Sequence, residues 1–121
     1  MVKTILIADD NPQIREQLCL LFKSEEHYEV CAEASNGKEA IELALKHRPD
    51  LIVLDPSMPA LTGFEAAREI KQLMPEVPII LFTQHADLGK HLLGSVAPVD
   101  CVVAKSEPVE LLRQLRALLP D

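Results

Sequence analysis

The chain has 121 residues, 48% of them hydrophobic and only 3% aromatic, and a formal net charge of −7. That length suits one domain around one core, which must be built from Leu, Ile, Val and Ala. The acidic balance argues against direct nucleic-acid binding, which needs clustered Lys and Arg, and no apolar stretch reaches the length of a membrane span.

The chain opens with a short apolar run, Lys3 to Ala8, that ends in Asp9-Asp10-Asn11. Ile14, Leu18, Leu21 and Phe22 then recur at helical spacing, and Glu25-Glu26 reads as a solvated helix end. Tyr28 to Ala34 is a second strand. Asn36-Gly37 precedes a helix with the apolar stripe Ala40, Ile41, Ala44 and Leu45. Leu51 to Leu54 is a buried strand by composition. Phe64, Ala67, Ile70, Leu73 and Met74 mark a third helix, closed by Pro75. Val77 to Phe82 is the fourth strand. Ala86 to Ala97 is a weak helix, because Gly89 and Gly94 each cost about 1 kcal/mol relative to Ala and Pro98 follows. Asp100 to Ala104 is the fifth strand. Val109, Leu112, Leu115 and Leu119 line the last helix, with Leu111 and Leu118 widening the stripe.

Strand and helix thus alternate along the whole length, five of each, which predicts an α/β fold with a parallel sheet covered on both faces. The continuously apolar strands agree with burial on both sides. One domain over 1–121 is expected, with no linker, repeat or output domain. The N-terminus runs directly into the first strand, without the long apolar region and small-residue cleavage site expected of a signal peptide. Cys19, Cys31 and Cys101 are odd in number and far apart, so neither a metal knuckle nor a disulfide framework follows. They read as reduced thiols, and the protein is placed in the cytoplasm.

Ligands of open parallel sheets bind beyond the carboxyl ends of the strands. Strand one ends in Asp9-Asp10, strand three in Asp55, strand four in Thr83 and strand five in Lys105. Three carboxylates, a hydroxyl and an ammonium therefore converge on one edge. Clustered carboxylates repel and call for a cation. A hard divalent ion such as Mg²⁺ suits oxygen ligands. One aspartate could then act as a nucleophile and form an acyl phosphate. Thr83 could donate to a phosphoryl oxygen, and Lys105 could pair with another as a compact point charge. Taken singly, each residue has a bland reading as a helix cap, a strand end or a solvated lysine.

Together these residues resemble the receiver domains of two-component response regulators. The likeness runs from Lys3 to Leu119. It rests on Ile7-Ala8-Asp9-Asp10-Asn11, on Leu54-Asp55-Pro56-Ser57-Met58-Pro59 with Gly63 after it, on Thr83, and on Lys105 ahead of Pro108. The resemblance implies a flavodoxin-like, doubly wound sheet with strand order 2-1-3-4-5. It implies Mg²⁺-dependent transfer of a phosphoryl group to Asp55 from a histidine kinase or phosphotransfer protein. Asp10, Asp55 and the Ser57 carbonyl would hold the metal directly, and Asp9 through a water. Asp55, Thr83 and Lys105 would carry the chemistry. The protein would be a phosphoacceptor rather than an enzyme proper, although it could catalyse its own phosphorylation and dephosphorylation. Output would pass to an effector protein, with no direct nucleic-acid or membrane partner. Two copies could pair through the face made by the 86–97 helix, the fifth strand and the last helix.

The chain also departs from the family. Val102 stands where many receivers have Tyr or Phe, so a switch based on a moving ring is not expected. Ala97-Pro98-Val99-Asp100-Cys101 replaces a common glycine-bearing turn. Ser57 and His85 occupy the positions two beyond Asp55 and Thr83 that flank the phosphoryl site in relatives. His27, His47 and His91 read as surface residues. Two rival readings remain: a pseudo-receiver that binds partners without phosphoryl control, and a phosphatase with an aspartate nucleophile. The second lacks a further acid beside Asp55-Pro56-Ser57 to protonate a leaving group.

Overall fold

A computed structural model describes residues 2–84 and 99–120. Its strands are β1 (Lys3–Ala8), β2 (Tyr28–Ala34), β3 (Leu51–Leu54), β4 (Ile79–Thr83) and β5 (Cys101–Ala104). Its helices are α1 (Pro12–Lys23), α2 (Gly37–His47), α3 (Gly63–Leu73) and α4 (Pro108–Leu118). The strands form one parallel sheet in the order β2-β1-β3-β4-β5. Four helices lie among the described residues rather than the five expected. The helix expected over 86–97, and with it His85, His91 and Pro98, falls outside them.

Alternation along the strands divides the core into two layers, because successive side chains point to opposite faces. Ile5, Ile7, Leu51, Val53, Ile80, Phe82 and Val103 meet Leu18 and Phe22 of α1 and Leu111 and Leu115 of α4. Leu6, Ala8, Ile52, Leu54, Ile79, Leu81 and Val102 meet Ala40 and Ala44 of α2 and Ala66, Ala67 and Ile70 of α3. β3 is buried over all four residues, as expected of a central parallel strand.

Local chemistry sets the helix starts. Asn11 accepts the Gln13 N–H at 2.9 Å, with Pro12 in the first turn. Asn36 accepts the Glu39 N–H at 2.8 Å. Thr62 and Glu65 form a reciprocal capping box ahead of α3. β4 starts two residues later than the apolar run suggests, since Pro78 has no N–H for the ladder. Asp100 lies outside β5. Its carboxylate accepts the Ile79 N–H at 2.7 Å and the Lys71 ammonium at 2.9 Å, tying the starts of β4 and β5 together.

The helical stripes are narrower than their sequences suggest. Leu45, Leu73 and Val109 are exposed, and α4 buries Leu111 and Leu115 instead of a stripe led by Val109. Glu25 is not simply solvated, because its carboxylate pairs with Arg116 of α4. His27 and His47 are exposed, as expected. No helix among the described residues is long and apolar enough to cross a membrane.

Candidate functional site

The parallel order brings the carboxyl ends of four strands to one edge. Asp9 and Asp10 follow β1, Asp55 follows β3, Thr83 ends β4 and Lys105 follows β5. They line a cleft of about 320 Å³ together with Asn11, Ser57 and Gln84. Asp9, Asp10, Asp55, Ser57, Thr83 and Lys105 are therefore in one place, while His85 lies outside the described residues.

Asp9 is 2% exposed and held at several atoms. Its N–H donates to Ala34 O at 3.0 Å, and its Oδ1 accepts the Asn11 N–H at 2.9 Å. Its Oδ2 has no aligned hydrogen bond among the described residues, but it lies 2.8 Å from Lys105 Nζ as an ion pair. Asp55 is 6% exposed. Its N–H continues the ladder to Ala8 O at 2.9 Å, and its Oδ1 accepts the Ser57 N–H at 3.1 Å. Its Oδ2 faces Lys105 Nζ at 3.4 Å. Asp10 and the Ser57 side chain are exposed. Thr83 is 3% exposed, and its carbonyl accepts the Lys105 N–H at 2.8 Å, which sets the loop carrying the lysine.

Burial pushes the Asp55 carboxyl above its ordinary value; the Asp9 charge adds to this, and the Ser57 N–H and Lys105 oppose it without reversing it. Burial alone would lower the Lys105 ammonium. The Asp9 and Asp55 carboxylates outweigh that and hold it above its usual value. Among the described residues Lys105 thus pairs with two of the three carboxylates, Asp9 and Asp55. Oxygens of Asp9, Asp10 and Asp55 can lie within 4.8 Å of one another, one from each residue. An all-oxygen, net-negative donor set with an unaligned Asp9 oxygen fits a hard divalent cation.

A family model, the response regulator receiver domain, matches residues 5–116. The chain belongs to the response regulator receiver domains. The transcriptional regulatory protein PdtaR of Mycobacterium tuberculosis is 43% identical over 96% of this chain. The chain spans only 61% of the length of that relative. A two-component response regulator of the LuxR family from an Aurantimonas species superposes with a TM-score of 0.89 at 33% identity, covering 98% of this chain and 85% of the other. The Thermotoga maritima response regulator TrrA, solved in complex with Mg²⁺-BeF, gives 0.86 at 35% identity, covering 98% of this receiver and all of that chain.

Two features of this receiver's site escape a reading of its sequence, and a third, Val102, stands as that reading had it. Arg15 reaches back from α1 to the Asp9 carbonyl at 2.7 Å. A lone arginine in a first helical turn carries no signal of that contact. Gly63 abuts the Asp55 backbone, where an added Cβ would sit 2.2 Å from the Asp55 carbonyl oxygen. The resemblance includes this glycine without giving its reason. Val102 is 8% exposed and packs in the core layer of Leu81, so the strand position is filled without a ring.

Proposed function

We propose that this receiver accepts a phosphoryl group on Asp55 and signals through protein contacts. The observation that carries the reading is the unequal tethering of the two buried acids. Asp9 is locked by Asn11 and by the close Lys105 pair. Asp55 keeps its Oδ2 toward the cleft, with Lys105 farther away at 3.4 Å. It is the carboxylate with an oxygen available for attack. Asp9, Asp10, Asp55 and the Ser57 carbonyl are the groups that would hold Mg²⁺. Bound there, the ion supplies positive charge that offsets the phosphoryl oxygens.

Asp55 Oδ2 attacks phosphorus of a phosphohistidine on a histidine kinase or phosphotransfer protein. The new O–P bond forms as the P–N bond breaks, and the imidazole leaves with the bonding pair and takes a proton. Lys105 turns from the carboxylate toward a phosphoryl oxygen, and the Thr83 hydroxyl donates to another. Burial of Asp55 and Thr83 strengthens both contacts. The remaining acids explain why transfer depends on the cation. Residues 1–121 act as one receiver unit in the cytoplasm, and an effector protein reads the phosphorylated face.

Acetyl phosphate with Mg²⁺ tests this by intact mass. One phosphoryl adduct is expected on the wild type, and none on Asp55→Asn or without Mg²⁺. An adduct that persists in Asp55→Asn would reject the assignment. A wild type that never gains one would favour a pseudo-receiver.

A further inference from the structure

The acid loop of this receiver is held from outside the cleft by a side chain that touches none of the reacting groups. Arg15 lies one turn into α1. Its Nη1 donates to the main-chain oxygen of Asp9 at 2.7 Å, and its Nε donates to Glu33 Oε1 at 3.2 Å. Glu33 sits on β2 beside Ala34, whose carbonyl accepts the Asp9 N–H at 3.0 Å. The guanidinium therefore ties α1, the edge strand β2 and the β1–α1 loop together. Its planar fork suits two acceptors at once, which an ammonium on a flexible stem does not reproduce.

The carbonyl it grips belongs to the peptide unit that joins Asp9 to Asp10. A peptide unit is planar, so fixing that oxygen fixes the direction of the Asp10 N–H and the place of its Cα. Asp10 is itself exposed, unlike Asp9 and Asp55. Packing therefore does little to set its carboxylate, and the backbone must do so. We infer that Arg15, braced by Glu33, is a positioning residue that holds Asp10 in place to bind a divalent cation. This rests on the proposed metal reading of the cleft and deepens it.

Electrostatics and positioning predict opposite signs, which makes the inference testable. Arg15 is a cation near an acidic cluster. If it acted by charge alone, its removal would tighten cation binding. If it positions Asp10, its removal weakens binding, and loss of such an outer partner typically costs roughly ten-fold or more in metal affinity. The experiment is a titration of the full chain with Mg²⁺ alone, followed by amide shifts at residues 9–11, with folding checked by circular dichroism. Arg15→Met is expected to bind roughly ten-fold more weakly than wild type. Glu33→Gln leaves α1 intact and is expected to weaken binding less, by a few-fold; there charge and brace act in the same direction, so it is the sign at Arg15 that separates positioning from charge. Equal or tighter binding in Arg15→Met would overturn the inference, and so would an unchanged affinity in Glu33→Gln. A wild type that ignores Mg²⁺ would overturn the metal reading itself, and this inference with it.

Discussion

Asp55 shows what the site costs the protein. A carboxylate that is 6% exposed, next to a second buried acid, is held above its ordinary ionisation range mainly by burial. The folded state therefore binds a proton more readily than the unfolded chain does. Stability linked to this group is greatest below the ordinary value of 3.8 and is lost as pH rises through the folded value. In chelator, Asp55→Asn is expected to be more stable than wild type at pH 7, with the gain shrinking as the pH is lowered toward 3.8. Urea unfolding at several pH values measures this, and a neutral-pH loss of stability in the variant would contradict it. Lys105 does not cancel the penalty, because its closer partner is Asp9 at 2.8 Å. The thiols stand apart from this chemistry. Burial pushes Cys19 and Cys101 up to about 11, so both stay protonated at neutral pH. At this scale the sequence reveals Asp9, Asp55, Thr83 and Lys105 because each closes an apolar run. It hides Arg15, whose partner is a carbonyl six residues back, in the loop between β1 and α1.

At the scale of elements, the start of α3 fixes where Asp55 stands. The capping box of Thr62 and Glu65 begins the helix, and the Gly63 N–H donates to Pro56 O at 3.1 Å. A Cβ at Gly63 would meet the Asp55 oxygen at 2.2 Å and Pro56 Cα at 2.7 Å. Both obstacles are backbone, so they cannot rotate away. Gly63→Ala is expected to cost about 1–3 kcal/mol by overpacking and to slow phosphorylation by displacing the β3–α3 loop. Denaturant unfolding and the rate of acetyl phosphate labelling check the two halves. Wild-type values for both would show that the loop yields freely. The helix faces were less legible than the strands. Periodicity finds a stripe but not its edges. In α2 the close approach to the sheet is made by Ala40 and Ala44, which leaves Leu45 outside; in α4 it is made by Leu111 and Leu115, which leaves Val109 outside. Strand starts shifted for a different reason, since Pro78 offers the ladder only its carbonyl, to the Ile52 N–H at 3.0 Å, and Asp100 is spent tying two strands together.

For the whole molecule, the decisive fact is that residues 9, 55, 83 and 105 are distant in the chain and adjacent in space. Alternation of elements predicts a parallel sheet, but the order of its strands came from the family resemblance, because periodicity is silent on which strand neighbours which. That order places β1 beside β3, so the acids at their ends must face one another. Their repulsion acts at the buried ends of two neighbouring strands in a chain that already carries a net charge of −7. A cation in the cleft relieves it in the folded state only, since the unfolded chain separates Asp10 from Asp55. Mg²⁺ should therefore stabilise the entire fold. The gain is about 1.4 kcal/mol when its concentration reaches ten times the dissociation constant. That corresponds to a rise of several degrees in Tm for a domain of this size, on a scale of about 4–8 °C per kcal/mol for 60–100 residues. Thermal unfolding with Mg²⁺ and with sodium chloride at matched ionic strength separates site binding from general screening. The rise is expected with Mg²⁺ in the wild type and is expected to fall sharply in Asp10→Asn. Equal rises in both salts would mean that the acids feel only the ionic atmosphere and that the cleft holds no ion of its own.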